Sequence, residues 1–123
     1  MTNPMVLIVE DDEKLAEIFS LTLQSAGFDT RSAADGAIAL AQLADSVPDL
    51  VVLDLHLPKV AGAEVLQYIR KDERLAKVRV ILATADERQG EMLDDQANLV
   101  LLKPVSPEQL SLLAKRLVNP AKN

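Results

Sequence analysis

Asp49-Leu50-Val51-Val52-Leu53-Asp54-Leu55-His56-Leu57-Pro58 marks the centre of the architecture. Its four consecutive apolar residues, Leu50 to Leu53, read as a strand buried on both faces. The run ends on a carboxylate, Asp54, and a Leu-Pro turn follows. An acid at the mouth of a buried strand is costly unless something offsets its charge. In open parallel sheets, ligands bind outside the carboxyl ends of the strands. Asp54 is therefore the residue to explain, and other candidates are judged by whether they can converge on it.

Met5-Val6-Leu7-Ile8-Val9 is a second buried-type strand, and it too ends in acid, at Glu10, Asp11, Asp12 and Glu13. Leu15, Ile18, Phe19, Thr22 and Leu23 then recur at helical spacing, with Gly27 as the stop. Phe28 to Ser32 is more polar and reads as an edge strand. Asp35 caps a helix whose face is expected at Ala37, Ile38, Ala41 and Leu43. After Pro58 and a turn at Gly62, Val65, Leu66 and Ile69 predict a helix to about Lys71. Val78 to Ala83 is a strand ending at Thr84, and Asp86 to Asp95 carries a short helix at most. Leu99 to Leu102 is the fifth strand, followed at once by Lys103-Pro104. Ser106-Pro107-Glu108-Gln109 reads as a capping box with proline at the first helical position. Leu110, Leu113, Ala114 and Leu117 are the expected inner face of that last helix, with Lys115 and Arg116 suited to its end.

Five strands alternating with five helices imply a parallel sheet with helices on both faces. For five strands the flavodoxin-like order 2-1-3-4-5 fits best, a three-layer α/β sandwich in which strands 1 and 3 are neighbours at the switch point. The 123 residues suffice for one domain, expected over 1–119 with a tail or linker at 120–123. At 49% hydrophobic and 2% aromatic, the chain must build its core from Leu, Ile, Val and Ala. Thirteen cations against nineteen acids give a net charge of −6, which argues against direct nucleic-acid binding by this domain. The absence of cysteine excludes disulfides, thiolate chemistry and cysteine zinc sites. No signal peptide and no apolar run of membrane-spanning length are visible, so a cytoplasmic protein without membrane contact is expected.

On this topology Glu10 and Asp11, Asp54, Thr84 and Lys103 end strands 1, 3, 4 and 5 on one rim. Crowded carboxylates need a counter-charge. Hard oxygen ligands suit Mg²⁺, and a single imidazole, His56, argues against a zinc cage. A carboxylate beside Mg²⁺, with a hydroxyl and an ammonium nearby, can attack and hold a phosphoryl group. Taken singly, each residue has an ordinary reading. Asp12 and Glu13 are a helix cap and a first-turn acid, and Glu10 and Asp11 could be the same. Asp54 could be a turn residue, Thr84 a strand end, Lys103 a solvated charge and His56 an exposed loop. Those readings do not predict the joint placement on four strands.

Val9-Glu10-Asp11-Asp12, Leu53-Asp54-Leu55-His56-Leu57-Pro58 with Gly62, Ala83-Thr84-Ala85 and Lys103-Pro104 together resemble the receiver domain of two-component response regulators, over essentially the whole chain. The resemblance implies a CheY-like phosphoryl-accepting switch with Asp54 as phosphoacceptor. It implies Mg²⁺ held by Asp54, by Asp11 directly, by Glu10 through water and by the main-chain carbonyl of His56. It makes Thr84 the switch hydroxyl and Lys103 the lysine that pairs with the phosphoryl group, with a cis Lys103–Pro104 bond. A histidine kinase or phosphotransfer protein is the implied phosphodonor, and an unidentified output protein or effector domain the implied target, reached through the helix 4, strand 5 and helix 5 surface. Such a domain catalyses its own modification and is not a turnover enzyme.

Departures from the pattern fall at the output side. Val100 stands where the family carries an aromatic residue, Gln96 where it carries glycine, and Thr84 to Lys103 is short by about one helical turn. These departures keep open a receiver-like adaptor that works without phosphate. A Mg²⁺-dependent phosphotransferase, phosphatase or nuclease is the remaining alternative. Toprim-type domains want Asp-x-Asp where this chain has Asp54-Leu55-His56, and haloacid-dehalogenase-like phosphatases want an acid pair on the first strand that Val9-Glu10-Asp11-Asp12 does not supply.

Overall fold

The structure, a computed structural model, describes residues 3–119, so the tail expected at 120–123 lies outside the described residues. Five strands form one parallel sheet: β1 (Met5–Val9), β2 (Asp29–Ala33), β3 (Leu50–Asp54), β4 (Arg79–Thr84) and β5 (Leu99–Leu102). They lie in the order β2-β1-β3-β4-β5, as the alternation of elements predicts. β3 is central and wholly buried, and Leu53 pairs in register with Val9 of β1 and with Leu82 of β4. The strand ends that carry Glu10, Asp54, Thr84 and Lys103 are thereby brought to one rim. β2 is the polar edge strand, set one residue later than its sequence pattern indicated.

Alternation along the strands divides the core in two. Val6, Ile8, Leu50, Val52 and Ile81 pack beneath α1 (Glu13–Ser25) and α5 (Pro107–Leu117) through Phe19, Leu23, Leu110 and Ala114. Leu7, Val9, Val51, Leu53, Val80 and Leu82 pack on the other face under α2 (Gly36–Asp45) and α3 (Gly62–Lys71), with Leu93 of the short α4 (Glu87–Leu93) against the same cluster. The helix ends follow their chemistry. Asp12 accepts from the N–H groups of Lys14 and Leu15, Asp35 from Ile38, and Ser106 from Gln109. Gly27 takes the left-handed turn after α1 with φ 101°. A 3₁₀ turn, Asp94–Gln96, completes the short connection from α4 to β5.

Two helix faces differ from their sequence pattern. In α2, Ala37, Ile38 and Ala41 face solvent, while Gly36, Ala39 and Leu43 are buried. Nearly every position of α2 is apolar, so periodicity offers two stripes and cannot choose between them. Close approach chooses: a Cβ on Gly36 would lie 1.9 Å from the Val60 carbonyl oxygen, so this glycine must face the loop after β3. In α1, Ile18 is likewise exposed and Phe19 and Leu23 carry the burial.

The face assignment has a stability signature. Leu43→Ala is expected to lower the unfolding free energy by about 2–5 kcal/mol. Ile38→Ala should change it by no more than about 0.5 kcal/mol. Urea denaturation of the two variants checks this.

Candidate functional site

The site is built by strand ends. β3 runs out at Asp54, which is 4% exposed, and β1 delivers Glu10, equally buried, at its carboxyl end. Asp11 follows on the exposed rim. Ligand oxygens of Glu10, Asp11 and Asp54 all lie within 4.8 Å of one another. Lys103, immediately after β5, extends Nζ between two of them, 2.9 Å from Glu10 Oε1 and 3.2 Å from Asp54 Oδ2. The Lys103–Pro104 peptide is cis. The backbone completes the cradle: Asp12 N–H donates to Glu10 Oε2 at 3.1 Å, and His56 N–H donates to Asp54 Oδ1 at 3.1 Å.

Below this cradle the loop from β3 to α3 is pulled tight. Gly62 N–H donates to the Leu55 carbonyl at 3.0 Å. A Cβ on Gly62 would lie 2.2 Å from the Asp54 carbonyl oxygen, so only glycine lets α3 start this close beneath the site.

The charges are not balanced. Burial pushes the Glu10 carboxyl above its usual range, and the Asp54 charge adds to that push; the hydrogen bonds from Lys103 and the Asp12 N–H offset only part of it. For Lys103, burial pulls the ammonium down, but the Glu10 hydrogen bond and the charges of Asp54 and Glu10 outweigh it and raise the group above its ordinary value. Three carboxylates and one ammonium leave the cluster two charges negative. A hard divalent cation matches both that deficit and the all-oxygen donor set. His56, whose side chain is exposed, enters through its backbone.

The structure thus brings Glu10, Asp11, Asp54 and Lys103 together. Thr84 ends β4 on the same rim, fully buried, one register step beyond the Asp54–Ala83 pair. Its hydroxyl accepts from the Asp86 N–H at 2.9 Å. Asp12 and Glu13 take their ordinary roles, the N-cap and the first turn of α1. Two residues at the site were missed in the sequence. Asp86 caps α4 and donates its N–H to the Thr84 hydroxyl, and Gly90 of α4 is buried on the Thr84 side, where a Cβ would lie 3.3 Å from Thr84 Cγ2. An aspartate at the head of a short helix was a visible cap signal, whereas nothing near Gly90 in sequence marks how little room its position leaves beside Thr84 and Val100.

Residues 6–115 match the family model of the response regulator receiver domain. The chain is 39% identical over 112 residues to the DNA-binding dual master transcriptional regulator RpaA of Synechocystis, covering 87% of this chain and 46% of that protein. It therefore spans about half the length of the curated relatives it matches. Among solved structures, a Francisella response regulator receiver domain superimposes with a TM-score of 0.86 at 29% identity, covering 98% of this chain and all of that one. TrrA of Thermotoga maritima, solved in complex with Mg²⁺-BeF, gives 0.83 at 28% identity over 94% of this chain and 99% of that one. With strand order, rim and acidic cradle all in agreement, the chain belongs to the response regulator receiver domain family, the phosphoryl-accepting signalling switches of two-component systems.

Proposed function

We propose that Asp54 is the phosphoacceptor of this switch, that Glu10, Asp11, Asp54 and the His56 main-chain carbonyl hold Mg²⁺, and that a histidine kinase or phosphotransfer protein is the donor. The observation that carries the proposal is the Lys103 ammonium suspended between Glu10 and Asp54 beside a third carboxylate. When bound, Mg²⁺ supplies positive charge to the phosphoryl oxygens and cancels the repulsion among the acids. The chain's own groups do the rest. One Asp54 carboxylate oxygen attacks phosphorus; the new P–O bond forms as the donor's bond to phosphorus breaks, and the leaving group departs with that bond's electron pair. The His56 N–H orients Asp54, and Lys103 offers its charge to the oxygens of the transferred group. Residues 1–119 make up the switch, which is not a turnover enzyme and acts in the cytoplasm. No described helix is long and apolar enough to cross a membrane. With a net charge of −6, the domain leaves DNA contact to an effector domain or a separate output partner. Output runs through α4, β5 and α5, where the added charge draws Thr84 and Lys103 inward.

Acetyl phosphate with Mg²⁺ is expected to add one phosphoryl group, seen as a single increment in intact mass. Asp54→Asn or removal of the metal by a chelator should abolish the increment, and an Asp54→Asn protein that is fully modified would overturn the assignment.

The raised Glu10 carboxyl gives a second prediction, on stability. A group raised above its usual 4.5 contributes stability that is fully present below that value and lost as pH rises through the folded value. At neutral pH the ionised Glu10 is therefore a liability in the metal-free protein. Glu10→Gln should melt at a higher temperature than the wild type at pH 7 without metal, and the gap should close as pH falls towards 4.5. Added Mg²⁺ should raise the wild-type melting temperature more than that of the variant, as thermal unfolding followed by circular dichroism would report.

A further inference from the structure

The hydrophobic pattern of β5 does not fix where it sits against β4. Its four residues, Leu99 to Leu102, are apolar throughout, and as the last strand of the sheet it pairs on one side only. Register is firmly specified where alternation buries one face, and a strand without alternation slips easily. A slip of one residue would carry Lys103 about 3.3 Å along the strand direction and turn its side chain to the opposite face. Lys103 Nζ would then leave Glu10 and Asp54, which it meets at the present register. At this end of β5 the Lys103 N–H donates to the Thr84 carbonyl at 2.8 Å, a backbone bond that any non-proline residue could make.

The other end of β5 is different. Val80, fully buried in β4, turns both of its backbone groups to Asn98, the residue before β5. Its carbonyl accepts from the Asn98 N–H at 2.9 Å, and its N–H donates to Asn98 Oδ1 at 2.7 Å. In a regular parallel ladder those two groups go to different residues of the neighbouring strand. A side-chain oxygen thus takes the place of a strand carbonyl, and it does so at one register only. Arg70, near the end of α3, holds that oxygen in place. Its Nη2 donates to Asn98 Oδ1 at 3.2 Å, its Nε to the Gln96 carbonyl at 2.7 Å and its Nη1 to the Val78 carbonyl at 2.9 Å. One planar guanidinium so ties the approach to β4, the approach to β5 and the amide between them. Among the described residues no carboxylate pairs with Arg70, and these oxygens answer its charge.

We propose that Asn98 is the register pin of β5, that Arg70 orients it, and that both are positioning residues for Lys103. Without Oδ1 the buried Val80 N–H has no partner at the native register, so registers that offer it a carbonyl gain population. The pin stands on these hydrogen bonds; its effect on phosphoryl transfer rests on the phosphoacceptor reading above.

Cross-strand nuclear Overhauser effects between β4 and β5 in the full chain read the register with no metal or phosphodonor present. The native set pairs Ile81 with Leu99 and Thr84 with Leu102. Asn98→Ala should weaken that set and bring in shifted pairs, and Arg70→Lys, which keeps the charge and loses the fork, should do the same. Asn98→Asp keeps an acceptor for Val80 and Arg70 and should keep the native set. An unchanged native set in Asn98→Ala, or an Asn98→Asp protein that shifts like it, overturns the pin; native pairs kept in Arg70→Lys remove Arg70 from the proposal. If Asn98→Ala does not fold, Arg70→Lys carries the test. The second measurement is phosphoryl uptake from acetyl phosphate and Mg²⁺, followed by intact mass. Asn98→Ala should slow it at least roughly tenfold, because a displaced Lys103 no longer meets the reacting oxygens. In a Lys103→Met background the same change should bring no further loss. Equal slowing in both backgrounds, or shifted pairs with an unchanged rate, refutes the positioning of Lys103. No uptake by the wild type refutes the phosphoacceptor, and the register measurement then decides the pin.

Discussion

One ammonium group organises the rim of this sheet. Lys103 Nζ reaches Glu10 from β1 and Asp54 from β3 with one side chain, although the three residues lie far apart in sequence. Strands β1 and β3 are neighbours only because the chain doubles back at this point in the order, and the doubling leaves a crevice at their carboxyl ends. Two buried carboxylates in that crevice would repel each other and the sheet beneath them without a cation. The lysine makes the arrangement tolerable and leaves it incomplete, because the third acid, Asp11, keeps the site negative.

That imbalance separates a receptive site from a structural one. A buried ion pair that merely stabilises a fold is closed, with every charge answered. Here the Glu10 carboxyl remains above its usual range even with Lys103 and a backbone N–H beside it. Burial and the neighbouring Asp54 charge therefore penalise the ionised Glu10 at this rim, and a cation placed there would offset that penalty. The penalty is borne by the rest of the molecule: two apolar layers, one on each face of a fully buried β3.

Much of this was legible in sequence, for identifiable reasons. Leu50 to Leu53 is unbroken because β3 is covered on both sides, and Asp54 stands out because it ends that run. Fixed chain order and strand-end position then carry Glu10, Asp11, Thr84 and Lys103 to the same rim without knowledge of any side-chain contact. What stayed hidden is what depends on close approach. The inward stripe of α2 is set by Gly36 against a backbone carbonyl, and a helix apolar on both faces gives periodicity nothing to discriminate. The exposure of Ile18 has the same origin, since Phe19 one position on is the larger side chain and takes the core. The partner of the Thr84 hydroxyl could not be read, because the strand-end argument places residues on a rim and says nothing of which neighbour a rotatable group selects.

The departures at the output side fall into one physical pattern. Without an aromatic ring at position 100, an open groove lined by Gly90, Val100 and Leu102 lies between the shortened α4 and β5, and α4 approaches the sheet closely only at Gly90. Close packing of short elements transmits discrete changes well, because stiff branched side chains such as threonine and valine have few rotamers and cannot absorb a displacement gradually. A helix of two turns at the low end of local stability is also the element that responds to the loss of a single hydrogen bond and a single contact. A phosphoryl group at Asp54 would add roughly two negative charges to a site already short of positive ones, where Lys103 and the His56 N–H already donate to that carboxylate. Thr84, at the end of β4 on the same rim, accepts from the N-cap residue of α4. A hydroxyl on the rim of the site and the head of the neighbouring helix are thus joined by one hydrogen bond.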